Sequence, residues 1–169
     1  MNLLQSNGHP QQWTFVGSLK FIEELDVDRY LSADAIKKII LVGFADASQA
    51  AYGTVVYMKS ISETNSVVMK LIASKSRIAP IKTISIPSLE LSACFFLSQL
   101  VENIIHALKM EMEYDILHTD STIALAWINT PPNHLKTFIG NSVSKIQSLN
   151  ENCTWRHILS HLNPADISK

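Results

Sequence analysis

The chain has 169 residues, 47% of them hydrophobic and 17% charged, with a formal net charge of −1. That length and apolar content fit one domain with its own core and exclude an intrinsically disordered chain. The near-neutral balance excludes a general electrostatic pull towards nucleic acid or anionic membrane, so any contact with a polyanion has to come from local positive charge.

Residues 1–35 read as an appendage. The opening MNLLQSNGHPQQW has neither the basic region nor the apolar core of a signal peptide, and TFVGSLKFIEELDV sets Phe15, Leu19, Ile22 and Leu25 near helical spacing. The pattern then turns to β. KIILVGFAD, AYGTVVYMK and SVVMKLIASKS are three runs rich in Val, Ile and Tyr with short polar breaks, which predicts an antiparallel meander. After the proline-bounded link APIKTISIP, a long central helix is predicted over SLELSACFFLSQLVENIIHALKME. It carries Leu89, Leu91, Phe95, Leu97, Leu100, Ile104 and Leu108.

YDILHTD reads as a short strand, and STIALAWINT as a helix opened by Ser121 and Thr122. PPNHLKTFIGNSVSKIQSLN gives a further helix with Leu135, Phe138, Ile139, Val143 and Ile146 on one side, and CTWRHILSH a last strand. NPADISK begins a final helix, cut short where the chain stops at Lys169. The order β-β-β-α-β-α-α-β-α predicts an α/β fold with a mixed sheet. No stretch reaches the ~20 apolar residues of a membrane span. Cys94 and Cys153 show neither CxxC spacing nor a disulfide pattern, so each reads as a lone buried thiol and the expected setting is a reducing compartment inside the cell.

Four acids fall at element ends on this skeleton. Asp46 closes the first strand, Glu90 lies in the first turn of the long helix, Asp120 stands where the fourth strand meets a helix, and Asp166 opens the last helix. Strand ends and helix starts can converge on one crevice in an open α/β sheet, and carboxylates gathered there repel one another unless cations bind. Mg²⁺ suits such oxygen donors, and two ions about 3.5–4 Å apart can activate a water and stabilise the leaving oxygen of a phosphodiester. Each acid also has a structural explanation. The helix macrodipole accounts for Glu90 and Asp166, a cap for Asp120, and a turn for Asp46. Spacing leaves both readings open.

The surrounding phrases are more specific. FADASQAAYGTVVY, IPSLELSA, HTDSTIALAWI and LSHLNPAD stand in this order, and together they resemble the ribonuclease H domain of Bel/Pao-type LTR retrotransposon polyproteins. The resemblance runs from about Val27 to the C-terminus, and SKSRIAPIKTISIPSLEL is its most Bel/Pao-like phrase. VDRYL, before the first strand, resembles the connector that follows the reverse transcriptase. The resemblance implies a ribonuclease H-like fold over 36–169: a mixed five-stranded sheet, three antiparallel strands first, flanked by helices and with a truncated C-terminal helix. It also implies an endonuclease that hydrolyses the RNA strand of RNA/DNA hybrids during reverse transcription, with two Mg²⁺ ions or Mn²⁺ as a substitute.

Roles follow by position. Asp46 matches the aspartate that bridges both metals, Glu90 the helix glutamate, Asp120 the third acid and Asp166 the acid of the second metal. His161 matches a loop histidine that assists proton movement or product release. Ser48 and Ser121 touch the substrate backbone or cap their turns, with capping the favoured reading. Lys75, Arg77 and Lys82, around the third strand, are candidate backbone contacts. Tyr52, Trp127 and Trp155 form a stacking surface or, the favoured reading, pack in the core. The implied partners are the hybrid and the reverse transcriptase and integrase regions of one polyprotein, with no membrane, in a cytoplasmic virus-like particle.

Two rivals stand beside this. A non-catalytic ribonuclease H-like module would keep the fold and often lose one of the acids, whereas all four are present. A Pao retrotransposon peptidase label also attaches to such elements, and ADAS is loosely similar to the aspartate motif of retropepsins. Those are small all-β dimers with a glycine in the motif, which this chain lacks.

Overall fold

A computed structural model describes residues 36–81, 84–109 and 115–166. The expectations for the 1–35 appendage, Lys82 and the body of the final helix lie outside the described residues. Strand β1 spans Ile36–Ala47, β2 Ala51–Ser62 and β3 Val67–Ile78. Helix α1 (Ile86–Leu108) leads to β4 (Asp115–Thr119), α2 (Thr122–Ile128), α3 (Thr137–Leu149) and β5 (Cys153–His157). Single 3-10 turns occupy Pro132–His134 and Ser160–Leu162.

The five strands form one sheet in the order β3-β2-β1-β4-β5. The first three make the expected antiparallel meander, with Asp46 opposite Gly53 and Tyr52 opposite Arg77. β4 and β5 run parallel to β1, an arrangement that needs crossover connections, which the helices supply here. Asn65 turns the chain between β2 and β3 at a φ of 62°, a left-handed conformation that asparagine tolerates better than most residues.

β1 is apolar on both faces because it is the middle strand. Leu41 and Ala45 join Leu91, Leu97, Ile104 and Val143 in the main core, while Ile40, Val42 and Phe44 join Ala165 on the other face. Gly43 lets α1 come close: a Cβ there would stand 2.9 Å from both Leu97 and Leu117. By length and composition α1 passes as a membrane-crossing helix, contrary to the expectation that no stretch would. Leu89, Leu91, Leu97, Leu100, Val101 and Ile104 are instead buried within the domain. At about 1.5–3 kcal/mol for each fully buried large side chain, that packing is the dominant favourable contribution of the helix.

Three details differ from the sequence reading. α1 starts at Ile86, so Glu90 lies in its second turn. The segment before α3 forms a 3-10 turn, and Phe138, in the first turn of α3, is 65% exposed while Val143 and Ile146 are buried. Cys94 is buried as expected, whereas Cys153 is only partly so, and both thiols are free. Tyr52, Trp127 and Trp155 all pack in or against the main core, which agrees with the packing reading.

Candidate metal centre

Asp46 and Asp120 meet because their strands are neighbours. β1 and β4 pair in parallel with Ala45 beside Thr119, so the next residue on each strand arrives at the same end of the sheet. Glu90 arrives from the sheet-facing side of α1, between buried Leu89 and Leu91. One carboxylate oxygen from each of Asp46, Glu90 and Asp120 lies within 4.8 Å of the others.

The electrostatics of this triad are unfavourable by themselves. Asp46 and Glu90 are each 7% exposed. Burial, then the charges of Asp120 and Asp46, push the Glu90 carboxyl from 4.5 up to about 8, against a lowering contribution from the Ala47 backbone N–H. Lying in the second turn, Glu90 gains little from the α1 macrodipole, which falls off within the first turn. Glu90 Oε2 and Asp120 Oδ1 are buried without a hydrogen-bond partner, an arrangement that ordinarily costs about 1–3 kcal/mol per atom, and more when charged. Hard oxygen donors, mutual repulsion and unsatisfied acceptors together fit a divalent cation of the Mg²⁺ type.

The turn that carries Asp120 is well fixed. The Ser121 N–H donates to Thr119 Oγ1 at 3.2 Å, and Ser121 Oγ caps α2 by accepting from the Ala124 N–H at 3.2 Å. His157, the last residue of β5, places Nε2 3.1 Å from the Asp120 carbonyl oxygen. Sequence reasoning passes over His157, because the β4–β5 register that sets Thr119 beside His157 has no local signature.

The other candidates lie around this triad. Asp166 is not one of the three acids that meet. Its segment is nonetheless tied next to Asp46, since Asn163 Nδ2 donates to the Ala45 carbonyl at 3.0 Å and Ala165 packs on the β1 face. His161 is exposed on the 3-10 turn. Ser48 closes the β1–β2 turn, donating to the Ala51 carbonyl at 3.1 Å and accepting from the Ala50 and Ala51 N–H groups. Both serines are thus engaged in turn and cap contacts. Arg77 stands two strands from the triad with its guanidinium 5.3 Å above the Phe96 ring.

A mixed sheet in the order β3-β2-β1-β4-β5, with acids at the ends of β1 and β4 and on the first helix, defines a ribonuclease H-like domain. The chain belongs to the Pao retrotransposon-like RNaseH-like domain family, whose profile matches residues 3–121 and so takes in all three clustered acids. No curated protein matches the chain. Among solved structures, the N-terminal RNase H domain of a Mycobacterium tuberculosis protein is similar at 13% identity and a TM-score of 0.48, over 75% of this chain and 86% of that one. LC11-RNase H1 in complex with RNA/DNA hybrid is similar at 12% identity and a TM-score of 0.46, over 75% and 89%. The foamy viral protease-reverse transcriptase in complex with RNA/DNA hybrid is similar at 13% identity and a TM-score of 0.47, over 96% of this chain and 20% of that one.

Proposed function

We propose that this domain hydrolyses the RNA strand of RNA/DNA hybrids during reverse transcription of a retrotransposon, as the nuclease of a polyprotein that also holds the reverse transcriptase and integrase. The observation that carries the reading is the triad: three carboxylates within 4.8 Å, two of them with a buried unpartnered oxygen. Membership of the Pao family supports the retrotransposon setting, and a cytoplasmic virus-like particle is the proposed location. The mixed α/β sheet is not the all-β build that a retropepsin requires.

Asp46, Glu90 and Asp120 would hold the metal, with Asp166 brought up from the segment anchored on Ala45. Bound there, two Mg²⁺ ions, or Mn²⁺ in their place, supply the Lewis acidity that activates a water and stabilises the leaving oxygen. The chain itself prepares the site. The β1–β4 register fixes two of the acids, the Thr119–Ser121 turn orients Asp120, and burial keeps solvent from competing for the carboxylates. Glu90 must give up a proton as the cation enters, because its carboxyl keeps that proton to about pH 8. His161, exposed nearby in sequence to Asp166, is the proposed group for proton movement or product release. Strand choice would rest on 2′-hydroxyl contacts and duplex shape and need no base readout.

The test is cleavage of an end-labelled RNA/DNA hybrid in Mg²⁺ and in Mn²⁺, with Asp120→Asn beside the native chain. Cuts confined to the RNA strand and lost in the variant are expected. A folded protein that leaves the hybrid intact in both metals would overturn the catalytic reading in favour of a structural module.

A further inference from the structure

We propose that residues 14–27 of this chain dock on the open face of the sheet at its β3 border, so that the folded unit begins well before β1. The surface is set by strand alternation. Val67, Met69 and Leu71 stand abreast of Ile61, Lys59 and Tyr57 on β2. The same rows continue on β1 as Lys38, Ile40 and Val42. Leu41 and Met58, one step along their strands, belong to the main core, so these rows project from the opposite face. Ile40 and Val42 are buried there, whereas Val67, Met69 and Leu71 are each about half exposed. Among the described residues no helix joins the apolar cluster on this face, whose members outside the sheet are Ile158 and Ala165. An apolar stripe of this kind, set among polar residues, marks a contact surface.

Residues 14–27 fit that surface in pattern and charge. Phe15, Leu19 and Ile22 recur at helical spacing and would form one apolar stripe. Phe15 to Ile22 covers about 10 Å along a helix, and Val67 to Leu71 about 13 Å along a strand. Glu23 and Asp26 follow Leu19 and Ile22 by four residues, which sets them beside that stripe. The segment holds Lys20 and three acids, Glu23, Glu24 and Asp26, a net charge of −2. The surface carries Lys38 and Lys59 among its apolar residues, so the two charge patterns are complementary.

Reach favours the chain's own segment over a second copy. Residues 28–35, which lead into Ile36, can extend about 28 Å, whereas two strand spacings, about 10 Å, separate β1 from β3. Lys38 and Val67 stand in one row, so the chain enters the sheet at the end where the stripe begins. A tether that short gives an effective concentration in the millimolar range. The family profile starts at residue 3 and so counts 14–27 within the domain. Docked there, the segment covers the face of β3 and leaves its outer backbone edge open. The stripe lies towards the start of β1 and the triad at its end, so docking and catalysis are tested separately.

The experiment is hydrogen–deuterium exchange of the full chain, read by peptide mass spectrometry at two protein concentrations tenfold apart. A stretch of this length makes only a marginal helix in water, so lasting protection within 14–27 reports packing. In the native chain those amides should exchange at least tenfold more slowly than the unstructured rate, equally at both concentrations. Met69→Asp/Leu71→Asp should return them to within about twofold of that rate. Lys38→Glu/Lys59→Glu should cut the protection several-fold, and adding Glu23→Lys/Asp26→Lys to the same chain should restore it. Unchanged exchange in α1 checks the fold of every variant, and if Met69→Asp/Leu71→Asp loosens α1, the charge reversal decides alone. Native exchange at the unstructured rate, protection that survives Met69→Asp/Leu71→Asp in a folded chain, or a charge reversal without rescue would overturn the proposal. Protection that rises with concentration would also overturn it and assign the surface to a second copy.

Discussion

Replacing Glu90 by glutamine should make the metal-free domain more stable at alkaline pH. In the folded chain the Glu90 carboxyl holds its proton to about pH 8, against an ordinary value of 4.5. Between those two values the unfolded chain has released the proton and the folded chain has not, so stability falls as pH rises through the window. A displacement of that size corresponds to a ceiling of about 5 kcal/mol, and the high effective dielectric that real protein sites show brings the expected effect to about 2 kcal/mol. Glu90→Gln keeps the shape of the side chain and removes the proton from the balance. Urea unfolding in EDTA should therefore give equal midpoints for the two proteins near pH 4, diverging to favour the variant by about 2 kcal/mol near pH 8.5. Comparing the difference between the two proteins cancels the titrating groups that do not interact with Glu90, and leaves Glu90 with its coupling to Asp46 and Asp120. Saturating Mg²⁺ should then reverse the order, because a ligand at 100 times its Kd adds about 2.7 kcal/mol to the native chain and much less to one lacking a donor. Parallel pH dependences in the two proteins, or a variant less stable at pH 8.5, would refute the account of the triad as an electrostatically loaded site.

Three further predictions concern the frame around the triad. Gly140→Ala should cost about 2 kcal/mol in chemical unfolding although alanine favours helix, because the new Cβ would stand 2.5 Å from the Pro132 carbonyl oxygen. His157→Leu should weaken Mn²⁺ affinity several-fold by releasing the Asp120 carbonyl, with His157→Gln recovering most of it; equal calorimetric affinities in all three would remove His157 as a positioning residue. Burial pushes the Cys94 thiol well above its ordinary range and the Cys153 thiol up to about 12. Iodoacetamide near pH 8 should thus label both only on unfolding, and peptide mass spectrometry that finds Cys94 modified in the native state would contradict its place in the core.

The meander and the acid positions were legible because their signals are local. β1 alternates between two buried faces, and the ends of β1 and β4 carry their acids within recognisable phrases. Helix α1 starts two residues before the segment that the apolar pattern marks, because Pro87 reads as part of a link, whereas proline suits the first helical turn, where its missing N–H is not needed. That displacement put Glu90 next to the macrodipole and gave it a structural explanation it does not have. Phe138 was assigned to the buried side of α3 by spacing, but the 3-10 turn at Pro132–His134 sets where the helix begins and leaves that side chain outside. His157 was illegible for a different reason. Its place depends on which strands lie side by side, and no window along the chain encodes that β5 borders β4.

β3 also has a bearing on how the domain behaves in quantity. It is the border strand of the sheet, and Val67, Met69 and Leu71 are 53, 49 and 57% exposed along it. A border strand of alternating apolar residues is a template on which another extended chain can add itself. Lys70, in the middle of that run, places a charge where an incoming strand would have to bury it. Colloidal behaviour at high concentration is then governed less by the net charge of the molecule than by this one ammonium group, and Lys70→Val should turn a dispersed preparation into one that sediments.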